Sequence, residues 1–347
     1  MNPLFRVAAL GVLLGAGGAI QNGQSAYSQD TPPFPDTTRT IQKGLQHVEQ
    51  AGERWIERRG CVSCHQVPTL IWSHQAARQS GVPVRLSNLA HWGRWSTDVV
   101  NFVKPAQKAD VDHSATMASN IDTMTQLLLA MPRASAPPGQ SALGEKDWRA
   151  RFAQKLLKEQ SEDGSWRACG QLPAQRRPTD ETTATTTAWT ALALMREPVE
   201  FDPATAVHFI DSIEQPKSAE YLATRLLLAH QMEPHLTDQP PTQTATQRWQ
   251  AKLLKHQNDD GGWGWKLNEG SDALGTGYAL HALAISGADS NALEHAAKYL
   301  VTTQEANGRW KVPGTKASAK GATTPTADDW GSAWAVIALS TVVKQDK

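Results

Sequence analysis

The sequence predicts an all-α fold built from about six helical hairpins. Three observations carry this expectation. A ten-residue pattern recurs at Leu157–Trp166, Leu254–Trp263 and Val301–Trp310, each copy with Gln, Gly and Trp at matching positions. Gln304 lies about 47 residues after Gln257, and Gln257 about twice that after Gln160, a period of helical-hairpin repeats. A degenerate copy at Ile213-Glu214-Gln215 fills the gap, and no stretch alternates as a strand would.

The elements follow in order. Met1–Arg6 carries one positive charge, Val7–Ile20 is an uncharged apolar run, and Ala26-Tyr27-Ser28 offers small residues at a cleavage site. Residues 1–28 thus read as a secretory signal peptide, since the apolar run is shorter than the ~20 residues of a membrane span. No membrane span is expected after cleavage, and the mature chain is expected to be exported, to the periplasm or an equivalent extracytoplasmic space. Residues 29–40, with the Pro-rich stretch Thr31–Pro35, form a linker.

Two hairpins occupy 41–132 and match the repeat only in rhythm. Ile41–Arg59 leads through a cysteine pair into Thr69–Gln79, and Leu86–Phe102 leads into Ala115–Met131. The repeat proper fills 145–345. An amphipathic helix such as Trp148–Lys158 ends at the Gln, Asp-Gly or Asn-Gly turns the chain, and the Trp precedes a more apolar helix. These second helices are Thr185–Met195, Glu220–Met232, Thr276–Ser286 and Ser332–Val343. Their Ala and Gly residues suit close packing in an inner layer.

Composition narrows the function. The 347 residues carry 34 basic and 34 acidic side chains, so nothing points to nucleic acid or an anionic membrane. Three cysteines in an exported chain exclude a disulfide scaffold. Trp is in excess, 13 against four Tyr and six Phe, and the repeat accounts for part of that.

The Gln-x-x-x-Gly-x-Trp copies resemble the QW repeats of squalene and hopene cyclases and of the related prenyltransferase β subunits. The resemblance implies an (α/α)6 toroid, six inner helices ringed by six outer ones, over roughly Trp148 to the C-terminus. It gives Gln160, Gln257, Gln304, Trp166, Trp263 and Trp310 a bracing role rather than a catalytic one. Class II cyclases of this family protonate an alkene with an Asp-x-Asp-Asp cluster. Here Thr326-Ala327-Asp328-Asp329 has Thr in place of the first acid, and Asp272 aligns with Asp328, which reads as a recurring helix cap. Trp189, Tyr278 and Trp334 fall at matching inner-helix positions, where they either line a cavity or pack between hairpins. The prenyltransferases hold zinc through Asp, Cys and His on later repeats, where this chain has Cys169 as its only cysteine and no Asp and His suitably spaced with it.

Cys61-Val62-Ser63-Cys64-His65 carries the sharpest chemical signal. Two cysteines two residues apart, followed at once by His, match covalent c-type haem attachment. The spacing lets two thiols reach the two vinyl groups, and the adjacent imidazole bind the iron. A thioredoxin-type dithiol and a zinc site remain as alternatives. On the haem reading Cys61 and Cys64 hold the porphyrin and His65 is an axial ligand. His113 and Met117, one helical turn apart on the next inner helix, are the candidates for a second axial ligand; a vacant sixth position is the other option. His74, nine residues after His65, is about 13 Å further along a continuous helix, too far to grip the same iron. Arg58, Arg59 and Arg94 either pair with propionates or are ordinary surface charge. Trp55, Trp72, Trp92 and Trp95 either wall the porphyrin or form hairpin core. No role is expected for Cys169.

Three functions follow. The main expectation is an exported haem protein for electron transfer or a haem-dependent redox step, with a redox partner protein or a small ligand near the haem. The alternatives are a non-redox toroid that holds a lipid in its cavity or a protein on its rim, and an isoprenoid cyclase-like enzyme without the usual acid cluster.

Overall fold

In the computed structural model of the chain, the outer layer begins with α1 (Thr37–Arg59), whose apolar face buries Ile41, Leu45 and Val48. The structure describes residues 37–62, 65–131, 133, 145–233 and 243–345. The stretch expected to be a signal peptide and most of the expected linker therefore lie outside the described residues. All described residues fall within one contact-defined unit, Phe34–Lys347. Among them there is no strand, only isolated β-bridges.

Thirteen α-helices are described. After α1 come α2 (Gln66–Gln79), α3 (Leu86–Thr97), α4 (His113–Ala118) and α5 (Ile121–Ala130). The repeat region gives α6 (Glu145–Lys158), α7 (Thr179–Leu194), α8 (Ala204–Asp211), α9 (Ala219–Met232) and α10 (Ala245–Leu254). It ends with α11 (Ala273–Ile285), α12 (Ser290–Thr303) and α13 (Pro325–Gln345). Helices α2, α5, α7, α9, α11 and α13 pack each on the next, and α13 returns to α2, which closes an inner ring. Each outer helix packs on the inner helix of the preceding hairpin, and α1 on α13 does the same across the chain ends. The expected (α/α)6 toroid is the observed architecture.

Inner helices α2, α7 and α13 start earlier than expected, at Gln66, Thr179 and Pro325 rather than Thr69, Thr185 and Ser332, and two further differences bear on the ring and the site. Helix α1 starts at Thr37, inside the stretch assigned to the linker. The reason is tertiary: Thr37 and Thr40 are buried, and the Thr40 carbonyl accepts a bond from Gln304 Nε2 at 3.0 Å. The second hairpin is also broken more often than its rhythm implied. Outer helix α3 stops at Thr97, where Asp98 turns extended and accepts Val100 N at 3.1 Å. Asp112 then caps the short α4 through Ser114 N and Ala115 N, and Asn120 separates α4 from α5. His113 and Met117 therefore sit on α4, ahead of the inner helix rather than on it.

The three recurring turns have one geometry. Gln160, Gln257 and Gln304 donate Nε2 to the carbonyls of Gly164, Gly261 and Gly308 at 3.1, 2.8 and 3.0 Å. Trp166, Trp263 and Trp310 are fully buried and donate Nε1 to Leu156, Leu253 and Leu300 carbonyls at 2.7, 2.9 and 2.8 Å, closing the last turn of the outer helix. Their backbone N–H groups bond Thr187, Thr276 and Ser332 hydroxyls on the inner helix. Gln257 also reaches Ala292 O on α12, as Gln304 reaches Thr40 O on α1. Each turn thus ties its own outer and inner helices, and the second and third turns also bond the next hairpin.

Gly308 shows why the turn needs glycine. Its φ is +87°, and a Cβ there would run into the Lys43 carbonyl of α1. Gly287 also has positive φ, +69°, but faces nothing within 4 Å. Both should lose about 1–2 kcal/mol on substitution by Ala from backbone strain alone. Gly308→Ala is expected to lose clearly more than Gly287→Ala in urea melts, because it also pushes α1 off the ring. Equal losses would contradict the close approach.

Candidate functional site

The inner helices all begin at one rim of the ring, and the cysteine–histidine motif lies there. Helix α1 ends at Arg59, and Gly60 turns the chain with φ +60°, its N–H bonded to Ile56 O at 2.9 Å. Trp55 Nε1 donates to the Cys61 carbonyl at 2.8 Å. Val62 is fully buried and donates its N–H to Asn101 O at 2.7 Å, which anchors the loop under the second hairpin. Ser63 and Cys64 lie outside the described residues. His65 leads into α2, and its carbonyl accepts Thr69 N at 3.0 Å and Thr69 Oγ1 at 2.6 Å.

The His65 imidazole stacks on Trp330 of α13, centroids 4.9 Å apart with 30° between planes. Part of its surface opens into two adjoining pockets of about 390 and 370 Å³. Gln171, Lys316 and Thr326 line both alongside it. Burial, and then the Lys316 ammonium, push His65 down to about 4 against the opposing pull of Asp329. The ring is therefore neutral at pH 7, the form that offers a lone pair to a metal.

Cys61 lines the 370 Å³ pocket with His65. So do Trp55, Arg59, Lys104 and Lys316, a ring and three cations at one mouth. Asp122 and Cys169 form part of the same wall. Asp122, at the start of α5, accepts Cys169 N at 2.9 Å and Thr186 Oγ1 at 2.7 Å. Burial pushes the Asp122 carboxyl up to about 6 and raises the Cys169 thiol as well. A third pocket of about 320 Å³ adjoins through Trp55, Arg59 and Thr326, and holds Arg54, Arg58, Asp328 and Asp329.

The other candidates separate cleanly. Arg58 and Arg59 are exposed at these pockets, whereas Arg94 is exposed on α3 and lines none of them. Of the four N-terminal tryptophans only Trp55 reaches the pocket that holds Cys61. Trp92 is buried against His74 at 5.0 Å, and His74 Nδ1 donates to Leu70 O at 2.8 Å with Glu49 3.5 Å from Nε2. His74 is thus a core histidine of the first hairpin. Met117 is buried in the hydrophobic core and His113 is exposed; neither lines a pocket that His65 lines. Among the described residues, no three His, Cys, Asp or Glu side chains converge as a metal site.

Two features of the cyclase resemblance also resolve. Asp272 caps α11, accepting Leu274 N and Gly275 N at 2.9 and 2.8 Å. Asp328 lies inside α13 and takes Val312 N at 2.8 Å instead, while Asp329 accepts from Gln66 Nε2 at 3.2 Å and lies 3.1 Å from His47 Nε2. What the aligned pair share is a hold on the chain beyond each turn. Trp265 N and Val312 N, each two residues past the turn Trp, bond Asp272 and Asp328. Trp189, Tyr278 and Trp334 pack on one another, and Trp189 and Trp334 on Trp72 across the ring, with Trp334 at 4.2 Å from Tyr278 and 5.2 Å from Trp72.

Sequence reasoning missed Trp330, Lys316 and Asp122, and the buried cluster beneath them. There Glu220 pairs with Arg177 at 3.0 Å and accepts Trp189 Nε1 and Trp265 Nε1 at 3.2 and 3.4 Å. Acids recur at the inner-helix starts, Asp122, Glu181, Glu220, Asp272 and Asp328, and that recurrence was the available signal.

No protein-family model matches the sequence, and no curated protein matches it. Solved structures do. A type II terpene cyclase from Scytonema, in complex with geranylgeranyl dihydroxybenzoate, superposes with TM-score 0.52 at 12% identity, over 88% of this chain and 98% of its own. A glycosidase gives 0.51 at 12%, over 88% and 97%, and a protein from Actinoplanes gives 0.50 at 14%, over 90% and 100%. These likenesses show the shared α/α toroid fold.

Asp122 yields a pH prediction. Its folded value, about 6, lies above the ordinary 3.8 of an unfolded carboxyl. Its contribution is therefore fully present below about pH 4 and lost as pH rises through about 6, on the order of 3 kcal/mol. Asp122→Asn should flatten that segment of the stability–pH curve in urea titrations; an unchanged slope would show that Asp122 is ionised throughout.

Proposed function

We propose that this chain is an exported c-type haem protein built on an α/α toroid, acting in electron transfer or another haem-dependent redox step. The observation that carries the reading is the placement of Cys61 and His65 on the wall of one pocket, beneath three cations. The donor set fits the group. Cys61 and Cys64 would supply the two thioethers and His65 the axial nitrogen. Arg59, Lys104 and Lys316 would face the propionates. Bound haem would supply a one-electron couple at the rim.

The chain's own residues prepare that site. Trp330 fixes the imidazole plane by stacking. Trp55 holds the Cys61 carbonyl, and buried Val62 anchors the chain directly after Cys61. Burial keeps His65 neutral, the protonation state in which an imidazole ligates a metal. Met117 lies in the core and His113 on the surface, so neither lines the pocket with His65 to help hold the group. The apolar N-terminal run supports export, and the exposed rim suits a redox partner protein.

The test is the protein made in cells competent for cytochrome c maturation. A Soret band that survives acid–acetone extraction is expected, lost in Cys61→Ser with Cys64→Ser. His65→Ala should keep the covalent pigment and shift the band. A colourless wild-type protein from such cells would overturn the reading.

One observation favours a second reading, a cyclase-like enzyme: the fold shared with a type II terpene cyclase. On that reading Asp328 or Asp329 would be the acid, and turnover of a polyprenyl substrate should vanish in Asp328→Asn or Asp329→Asn. Full activity in both variants would eliminate these acids.

A further inference from the structure

The opposite end of the ring holds a separate pocket of about 390 Å³, where α2, α5, α11 and α13 finish. Among the described residues its lining contains no Asp or Glu. Cations at helix C-termini are expected from the helix dipole, and Arg149 is used that way. It donates to the Leu128 and Met131 carbonyls and pairs with Glu197. Arg196 and Lys344 are different. Both are exposed at the pocket, and among the described residues neither forms an ion pair; Arg196 has only a 3.4 Å bond to Gln231.

The second observation lies deeper. Ser340 lines this pocket, is 1% exposed, and among the described residues its hydroxyl has no hydrogen-bond partner. Leaving such a group unpaired costs about 1–3 kcal/mol. Its neighbour Thr341 is satisfied: Thr341 Oγ1 donates to Ile337 O at 2.8 Å and accepts from His281 Nδ1 at 2.9 Å. Ser340 and Lys344 lie one turn apart on the same face of α13, so one headgroup can meet both. Beside them the wall is apolar, with Trp72, Leu128 and Leu129. Ile285, one of the large apolar side chains most exposed among the described residues, also lines the pocket.

We propose that this pocket binds a small amphiphilic anion, a medium-chain carboxylate in chemical form. Its headgroup lies between Ser340 Oγ, Lys344 and Arg196, and its alkyl chain runs over Trp72, Leu128 and Leu129. The inference stands apart from the haem reading, because no residue is shared between the two sites.

Calorimetric titration of the mature full-length protein with decanoate, decanol and acetate tests it. Decanoate should bind saturably at one site, with decanol and acetate at least about tenfold weaker. The exposed double variant Arg196→Gln with Lys344→Gln should weaken decanoate about tenfold and leave decanol unchanged. Ser340→Ala should weaken decanoate as well. No saturable decanoate binding, equal binding of decanol, or a double variant that binds decanoate like the wild type would each overturn the proposal.

Discussion

The structure depends on one repeated constraint: a turn in which a buried indole N–H closes the outer helix while a glutamine amide holds the glycine that touches the next hairpin. An outer helix ends with unsatisfied carbonyls. Trp166, Trp263 and Trp310 satisfy one each at Leu156, Leu253 and Leu300, and in doing so bury rings of about 150–250 Å² apiece. At about 25 cal/mol per Å² each burial contributes several kcal/mol. The same residue thus caps, packs and sets the angle between hairpins. Tyr or Phe would provide the ring without an N–H in that place, which explains the choice of Trp at these three positions.

Ring closure makes the candidate site possible. The first and last hairpins meet because Gln304 reaches Thr40 O and Gly308 lies against Lys43. That contact brings α13 beside α2, and so brings Trp330 onto His65 and Asp329 onto Gln66 and His47. Lys316 enters the pocket by the same route. A fault in the last turn would therefore be felt at the motif some 240 residues earlier in the chain. Stability of the ring and shape of the pocket are one problem here, not two.

Much of the architecture was legible because it is local. Gln, Gly and Trp at fixed offsets specify each turn, and small residues mark each inner helix. The second hairpin was misread where local caps at Asp98 and Asp112 interrupt a smooth apolar rhythm. The site was half legible. Cys61 and His65 stand out by their spacing, whereas Trp330, Lys316 and Asp122 acquire meaning only when distant helices close on them. Helix α1 began early for the same reason: nothing in Thr37–Thr40 looks buried until α12's turn covers it. The capping expectation held for Asp272 and not for Asp328, because their common partner is the extended segment after the turn Trp.

The central claim, covalent haem on the first hairpin, is tested most directly by peptide mass. Cleavage after Arg59 and Arg78 releases one segment containing Cys61, Cys64 and His65. From protein matured in competent cells, that peptide should carry the mass of one haem and resist thiol alkylation at both cysteines. A peptide of unmodified mass, alkylated at Cys61 and Cys64, would contradict the account.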